Sequence, residues 1–595
     1  MNEIIQTRLK NLRSVMKRRK LDAVIIPSND SHFSEYISDY WKCREYISGF
    51  KGSAGSVVVT KDKACLWTDS RYFLQADMEL EGTGITLMKE GVDTTPDIPS
   101  WLSVELGKGK VGINGLLFSV TQIALLRDKM PELEIVPVDD FFSEIWKERP
   151  PMPDAPAFLL GREYAGEDVQ EKVAHVRKIL KLKKKRVYIL SALDEVAWLL
   201  NIRGNDVNYN PVVTAYAVVT PGTVRLFVDE TKFKADDIYA LKQKGVELVP
   251  YVDFEKYLHL LSGYEVVYTP QKMSYAHYLI LQRFGAVLEK EPLAAGIVAE
   301  MKAIKNDVEI AGFRRAVIED GVALVRFYIW LEEMVYGGKG VTEAEAADKL
   351  SAFRAQSPLY RGESFHPIVG YKSNGAIVHY TPSKESSRKI KEDGFLLIDS
   401  GGQYLCGTTD ITRTIYLGTP GEQEKTDFTL VLMGNIDLAT AVFPENTRGS
   451  QLDILARRHL YMKGLTYLHG TGHGIGHYLN VHEGPQSVRL NENPETLKPG
   501  MVLSDEPGLY RPRRYGIRTE NMLLCREEKV TSFGRFYGFE TLTLFPIDTK
   551  CIDLSVLPLN HRRWLNRYHA LVYDHLSPYL STKEKVWLMS KTKEI

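Results

Sequence analysis

Four prolines in nine residues, at 148–156 (ERPPMPDAP), interrupt the first half of the chain with a stretch that continues neither a helix nor a central strand. A similar succession of elements is read on both sides of this linker. Before it, residues 1–20 place Ile5, Leu9, Leu12 and Met16 at helical intervals, residues 21–28 (LDAVIIPS) read as a buried strand, and residues 56–60 and 64–69 read as a hairpin. After it come a strand at 186–190, an apolar helix at 194–200, and strands at 215–220 and 225–229. The two stretches end alike, in CLWTDSRYF and RLFVDETKF, which predicts two related small α/β domains at residues 1–156 and 157–300.

A chain of 595 residues exceeds what one hydrophobic core serves, so a third section is expected. It opens near Met301, where Ile304, Val308, Phe313, Ala316, Val317, Val322 and Val325 are set among charges over a long helical stretch, and Thr342 with Glu345 makes a capping-box pattern for a second helix. Apolar residues make up 44% and charged residues 26%, the balance of an ordinary globular protein. Lys plus Arg, 76, cancels Asp plus Glu, 76, which leaves no long-range field to hold nucleic acid or an anionic membrane. The basic run at 181–186 (KLKKKR) reads as a solvated helix end. Cys43, Cys65, Cys406, Cys525 and Cys551 form no close pairs and read as reduced thiols. No stretch approaches the roughly 20 apolar residues that cross a bilayer, and residues 1–20 lack the apolar centre of a signal peptide. The expected location is the cytoplasm.

Residues 395–399 (FLLID) are an apolar run ending in Asp399, and 410–417 (DITRTIYL) an alternating one beginning with Asp410. Paired antiparallel across a turn at Gly401 and Gly402, they bring both carboxylates to one place, where they repel unless a proton or a metal intervenes. An Asp beside Gly ordinarily caps a turn, but the pattern has a second copy. Residues 502–506 (VLSDE) end in Glu506, and 516–524 (GIRTENMLL) hold Glu520, alternating with Arg518 and Met522 so that all three are expected on one side of the sheet. Between the copies, residues 469–485 (HGTGHGIGHYLNVHEGP) carry His469, His473, His477 and His482, four of the chain's 14 histidines. That density favours metal or acid/base chemistry, with at least one of the four expected to be structural. Four carboxylates and one imidazole form an oxygen-rich set whose charge balances two divalent cations, with Mn²⁺ suited to the donors. The chemistry this implies is hydrolysis at a binuclear centre with a bridging hydroxide as nucleophile. No G-x-S-x-G elbow and no P-loop lysine motif offers an alternative.

In these residues the chain resembles the pita-bread metallopeptidases, most closely the long, three-domain aminopeptidases P (Xaa-Pro aminopeptidases). The resemblance runs from GFKGSAGS and LWTDSRYFLQAD through LDEVAWLLNIRG and MKAIKN to SNGAIVHY, IDSGGQY, TTDITRTI, the histidine segment, SDEPGLY and GIRTEN, in that order. It implies that Asp399 chelates one metal, that Asp410 and Glu520 bridge both, and that His473 with Glu506 completes the other. It further implies that His379 and His482 bind substrate and assist proton movement, that His469 lines the same pocket, that Arg518 orients the bridging glutamate, and that Glu506 is the general base. The fold implied is two small α/β domains before a pita-bread catalytic domain with a curved mixed β-sheet at 301–540 and a tail packed on it at 541–595. The substrates implied are peptides with proline in second position, and the assembly is a homodimer. GFETLTLFPID and WLNRYH extend the likeness into the tail, although Arg562 and Arg563 stand where acidic residues are expected.

Two other readings share the metal set or the fold. A prolidase has the same centre but cleaves Xaa-Pro dipeptides and usually lacks the long two-domain preamble. A non-catalytic pita-bread binding protein gains nothing from four buried carboxylates that repel without metal.

Overall fold

Alternate residues of one strand feed two hydrophobic layers at the start of the chain, which makes the first domain a sheet covered on both faces. Val24 and Ile26 pack with Ile5, Leu9, Leu12 and Met16 of the helix Asn2–Arg18, while Ala23 and Ile25 pack with Leu102, Val111 and Ile123. The computed structural model describes residues 2–384 and 386–595, so Met1, the first residue of the expected N-terminal helix, lies outside the described residues. The chain forms two compact units, one of Met1–Gly161 with Glu167–Ala299 and one of Arg162–Gly166 with Glu300–Ile595.

The first unit holds the repeat. Strands β1 (Ala23–Pro27), β2 (Ser56–Thr60), β3 (Ala64–Thr68), β4 (Thr86–Lys89), β5 (Gly109–Asn114) and β6 (Leu133–Val138) lie in the order β4-β3-β2-β1-β5-β6. Strands β7 (Arg186–Leu190), β8 (Tyr216–Val219), β9 (Val224–Phe227), β10 (Val246–Val249), β11 (Glu265–Tyr268) and β12 (Val287–Lys290) lie in the order β10-β9-β8-β7-β11-β12. Each sheet has a central antiparallel meander flanked by parallel strands on both sides, with the same directions at every step. The similarity of the two sequence endings therefore reflects a shared topology. The proline-rich residues 149–157 have no regular structure, and Lys181, Lys183, Lys184 and Lys185 are exposed beyond the helix Val169–Ile179.

In the second unit the long helix runs over Asp307–Tyr336 and begins later than the sequence spacing suggests. The reason is that Ile304 bridges Met501 and the Lys305 amide donates to the Gly500 carbonyl at 2.9 Å, so this backbone is spent on another partner. Asn306 then caps the helix, accepting from the amides of Val308 and Glu309. The Thr342 and Glu345 capping box forms as read from the sequence, opening the helix Glu343–Arg354. The helices Leu559–Leu576 and Thr582–Lys591 send Leu565, Tyr568, Val572, Leu576 and Leu588 into the same core as Phe313, Leu324, Phe327 and Leu331. Gly321 permits that approach, because a Cβ there would lie 2.8 Å from Leu576 Cδ2, and also 2.6 Å from the Leu544 carbonyl oxygen. In the tail, Arg562 donates to the backbone oxygen of Ile595.

A polar staple joins three helices of this unit. Asp437, on Glu422–Ala439, accepts from His459 Nε2 at 2.7 Å and from His561 Nε2 at 2.8 Å, the histidines standing on Gly449–Tyr461 and Leu559–Leu576. The spacing of these three groups would also suit a cation, but the imidazoles already occupy both carboxylate oxygens. Burial pushes the Asp437 carboxyl up, yet the two imidazole hydrogen bonds outweigh it and hold the group well below the usual carboxylate range. A carboxylate depressed in the folded state supplies stability that is complete above the unfolded value of about 4 and fades as pH falls below it. Asp437→Asn is therefore expected to destabilise the protein by about 1 to 3 kcal/mol near neutral pH. Thermal melting of both proteins from pH 7 down to about 3 checks this, the difference shrinking toward the acid end.

Candidate metal centre

The strand Gly394–Ser400 pairs antiparallel with Ile411–Leu417, Asp399 opposite Thr412 and Ser400 opposite Ile411, so Asp410 stands just beyond the last pair. The connection is longer than the expected turn at Gly401 and Gly402. Gly402–Tyr404 and Gly407–Thr408 form a hairpin in a separate sheet with Tyr360–Glu363. Gly401 lets the chain return, since a Cβ there would meet the Thr409 carbonyl oxygen at 1.9 Å. Asp399 and Asp410 are both buried, and among the described residues Asp399 Oδ1 has no hydrogen-bond partner.

Glu506 and Glu520 sit where a second ladder changes partners. Val502–Asp505 pairs with Asn521–Thr531, and Gly508–Arg511 pairs with Tyr515–Arg518, leaving both glutamates in the gap between the two pairings. The continuous strand expected at 516–524 is thus divided at Thr519 and Glu520. Their amides turn away to other carbonyls, Thr519 to Pro507 at 3.3 Å and Glu520 to Thr412 at 3.1 Å. Arg518 and Glu520 still reach one side despite the break, since both meet Thr412 Oγ1, which donates to the Glu520 carboxylate at 2.7 Å.

Arg518 is 1% exposed, and its guanidinium donates to Asp399 Oδ2 at 2.5 Å, to Thr412 Oγ1 at 3.1 Å and to the Tyr510 hydroxyl at 2.6 Å. It thus bears on Glu520 by way of Thr412. The Tyr510 hydroxyl lies 2.9 Å from His469 Nε2, and His469 Nδ1 lies 2.8 Å from the Gly470 carbonyl. Because a carbonyl only accepts, Nδ1 carries the proton, and Tyr510 accepts from Arg518 while donating to His469. Buried Arg457 fixes this corner, donating to the carbonyls of Tyr467 at 2.6 Å and His469 at 2.8 Å from its ion pair with Asp453.

His473, on the strand Gly472–Gly474, has Nδ1 2.9 Å from the Gly474 carbonyl, and Nε2 faces Asp410 Oδ2 at 3.5 Å and Glu506 Oε1 at 3.6 Å. With Nδ1 turned to a backbone carbonyl, Nε2 is the nitrogen that faces the carboxylates, an arrangement that suits an intervening cation. Ligand atoms of Asp410, His473 and Glu520 all lie within 4.8 Å of one another. His482 packs its ring edge to face on His473, centroids 4.3 Å apart. His379 is half-buried in the turn after the helical segment Lys372–Ala376, next to Val378, whose carbonyl is 3.5 Å from Arg518 Nη2. His477 is the structural member of the four, buried with Nε2 2.8 Å from the Cys406 carbonyl and its ring against Phe313.

The electrostatics of the cluster call for positive charge. Burial, and then the neighbouring carboxylates, push the carboxyls of Asp410, Glu506 and Glu520 well above their ordinary values. Arg518 alone does not offset four acids, and two divalent ions would. The Asp399 Oδ1 oxygen and His473 Nε2, which faces Asp410 and Glu506, are donors of the kind such ions need. Tyr510 and Thr412 were not singled out from the sequence. Thr412 could have been, because it alternates with Asp410 and Thr414 on one face of DITRTI.

The profile of metallopeptidase family M24 matches residues 311–527, and that of the M24 C-terminal region matches 535–595. Two creatinase/prolidase N-terminal domain profiles match 8–145 and 148–309. A protein of Laccaria bicolor named "Probable Xaa-Pro aminopeptidase P" is 42% identical over 98% of this chain and 92% of its own. The chain belongs to the aminopeptidase P group of metallopeptidase family M24. "Aminopeptidase P2" of Arabidopsis thaliana is 40% identical over 97% of this M24 chain and 86% of its own. Among solved structures, an X-prolyl aminopeptidase of Caenorhabditis elegans, described as a cytosolic enzyme with a di-nuclear active site, superposes with a TM-score of 0.94. It shares 35% identity and covers 99% of this chain and 100% of its own. All the candidate residues fall inside the M24 match.

Proposed function

We propose that this M24 protein is a two-metal aminopeptidase that removes the first residue from peptides with proline in second position. The observation that carries the reading is the gathering of mutually repelling carboxylates around His473 Nε2, in a chain that matches named aminopeptidases P over 97–98% of its length. Asp399, Asp410, His473, Glu506 and Glu520 would hold the ions. Once bound there, two divalent ions supply Lewis acidity and the charge that the developing oxyanion requires.

The chain's own groups divide the remaining work. The Glu506 side chain keeps 20% of its surface exposed, against 4% for Asp410, so it is a carboxylate able to take up and return a proton on the open side. His379 and His482 would bind the peptide and hand a proton to the departing proline nitrogen, and His469 would line the same pocket. Arg518 holds Asp399 and, through Thr412, the position of Glu520. Mn²⁺ suits the oxygen-rich donors. Cytoplasmic location fits the C. elegans relative's description, and no helix among the described residues is long and apolar enough to cross a membrane. A homodimer, and limits of 1–156, 157–300, 301–540 and 541–595 for the domains and tail, complete the proposal.

Substrate choice tests it. Ala-Pro-Ala should be cleaved at the Ala-Pro bond, Ala-Ala-Ala poorly and acetyl-Ala-Pro-Ala hardly at all, because a pocket shaped for the ring holds alanine loosely and misplaces the carbonyl. Preferential cleavage of the dipeptide Ala-Pro would make prolidase the better reading. Equal cleavage of all four would remove proline specificity altogether.

A further inference from the structure

Glu483 follows His482 in the chain and is sealed from water together with two lysines. Its Oε2 accepts from Lys302 Nζ at 2.8 Å and its Oε1 from Lys305 Nζ, with the three side chains 1%, 2% and 0% exposed. Lys305 Nζ also donates to the Lys302 carbonyl at 2.8 Å, which fixes the two lysines to each other. Three charges in so dry a place return little net stability, because desolvation consumes the attraction, and apolar side chains of the same volume would pack as well. Position is a better reason for them than stability.

The triad joins the segment beside His482 to a lysine segment, and the backbone partners of these two segments carry His473 and lead to Glu506. Glu483 is paired with Gly474, on the strand of His473, and glycines make room for it: a Cβ on Gly474 would lie 2.3 Å from the Glu483 carbonyl oxygen, and one on Gly476 3.0 Å from Glu483 Oε2. The lysines lie on a segment whose backbone is bonded to Gly500 and Met501, just ahead of the strand that leads to Glu506. His482 stands next to the glutamate, its ring 4.3 Å from that of His473. We propose that Glu483, gripped by Lys302 and Lys305, is a positioning residue that sets the His482 imidazole against the His473 ring at the centre. The inference rests on the function proposed above.

The test is a double-mutant cycle on the full chain loaded with metal, with Ala-Pro-Ala as substrate. Glu483→Gln keeps the shape but weakens both ionic hydrogen bonds, and kcat is expected to fall roughly 10- to 100-fold, the scale of an ångström-sized misplacement, with KM nearly unchanged and both ions retained. In the His482→Ala background the same change should cost less than about 2-fold, since the group it positions is gone. Lys302→Met, which leaves the Lys305 pair in place, should give a smaller loss with the same dependence on His482, and it carries the test if Glu483→Gln does not fold. Equal losses in the two backgrounds, or loss of metal from the Glu483 or Lys302 variants, would overturn the inference. A wild-type protein that cleaves none of the peptides would overturn the proposed function and this inference with it, whereas an active wild type with additive losses overturns the inference alone.

Discussion

Asp410→Asn and Glu520→Gln should each reduce hydrolysis of Ala-Pro-Ala by at least about 10³-fold, because each amide would withdraw a charged donor from the proposed two-cation centre. Both side chains are buried, at 4% and 1% exposure, so no water can stand in for the missing ligand without rearrangement. Metal content should fall below two ions per chain while the fold persists, since each amide keeps the shape of the acid it replaces. The metal-free protein should report the same cluster. Burial and mutual repulsion raise the carboxyls of Asp410, Glu506 and Glu520 in the folded state. A carboxyl raised by folding stabilises the protein below its unfolded value of about 4 and loses that contribution as pH climbs toward the folded value. Chelated wild-type protein should therefore melt at progressively lower temperature from about pH 5 toward neutral pH, and the amide variants should show a shallower slope. Near-normal turnover with two bound ions in either variant would remove both residues from the centre.

His482→Ala should lower kcat by about 10² to 10⁴, the usual range for a positioned acid/base group, with both ions still bound. Its ring packs on that of His473, but it is the Nε2 of His473 that faces Asp410 and Glu506. His473→Ala should lose metal as well as turnover. Parallel metal analysis and kinetics on the two variants separate the roles, and metal loss from His482→Ala equal to that from His473→Ala would show them exchanged.

Strand pairing that depends on neighbours in sequence was open to direct reading. The pairing behind Asp399 and Asp410 follows from FLLID and DITRTIYL, and the twin hairpins follow from their alternation and their like endings. The parallel edge strands were harder to see, because Thr86–Lys89 and Val287–Lys290 are short and largely half-buried or exposed, with little hydrophobic pattern to mark them. The break at Thr519 and Glu520 was out of reach, since it is made by carbonyls of Thr412 and Pro507 that only the folded chain brings near. Lys305 and Glu483 are separated by 178 residues, and nothing local in MKAIKN or HEGP announces their pairing. The carboxylates and histidines proposed as ligands thus stood out in the sequence. Of the groups around them, Tyr510, Arg457 and the lysine pair depend on long-range packing.

Metal stoichiometry measured alongside activity tests the two-metal reading most directly. Chelated protein, titrated with Mn²⁺ and separately with other divalent ions, should take up two ions per chain and regain cleavage of Ala-Pro-Ala as the centre fills. Full peptidase activity with no bound divalent ion, or two bound ions with no cleavage of any Xaa-Pro peptide, would contradict it.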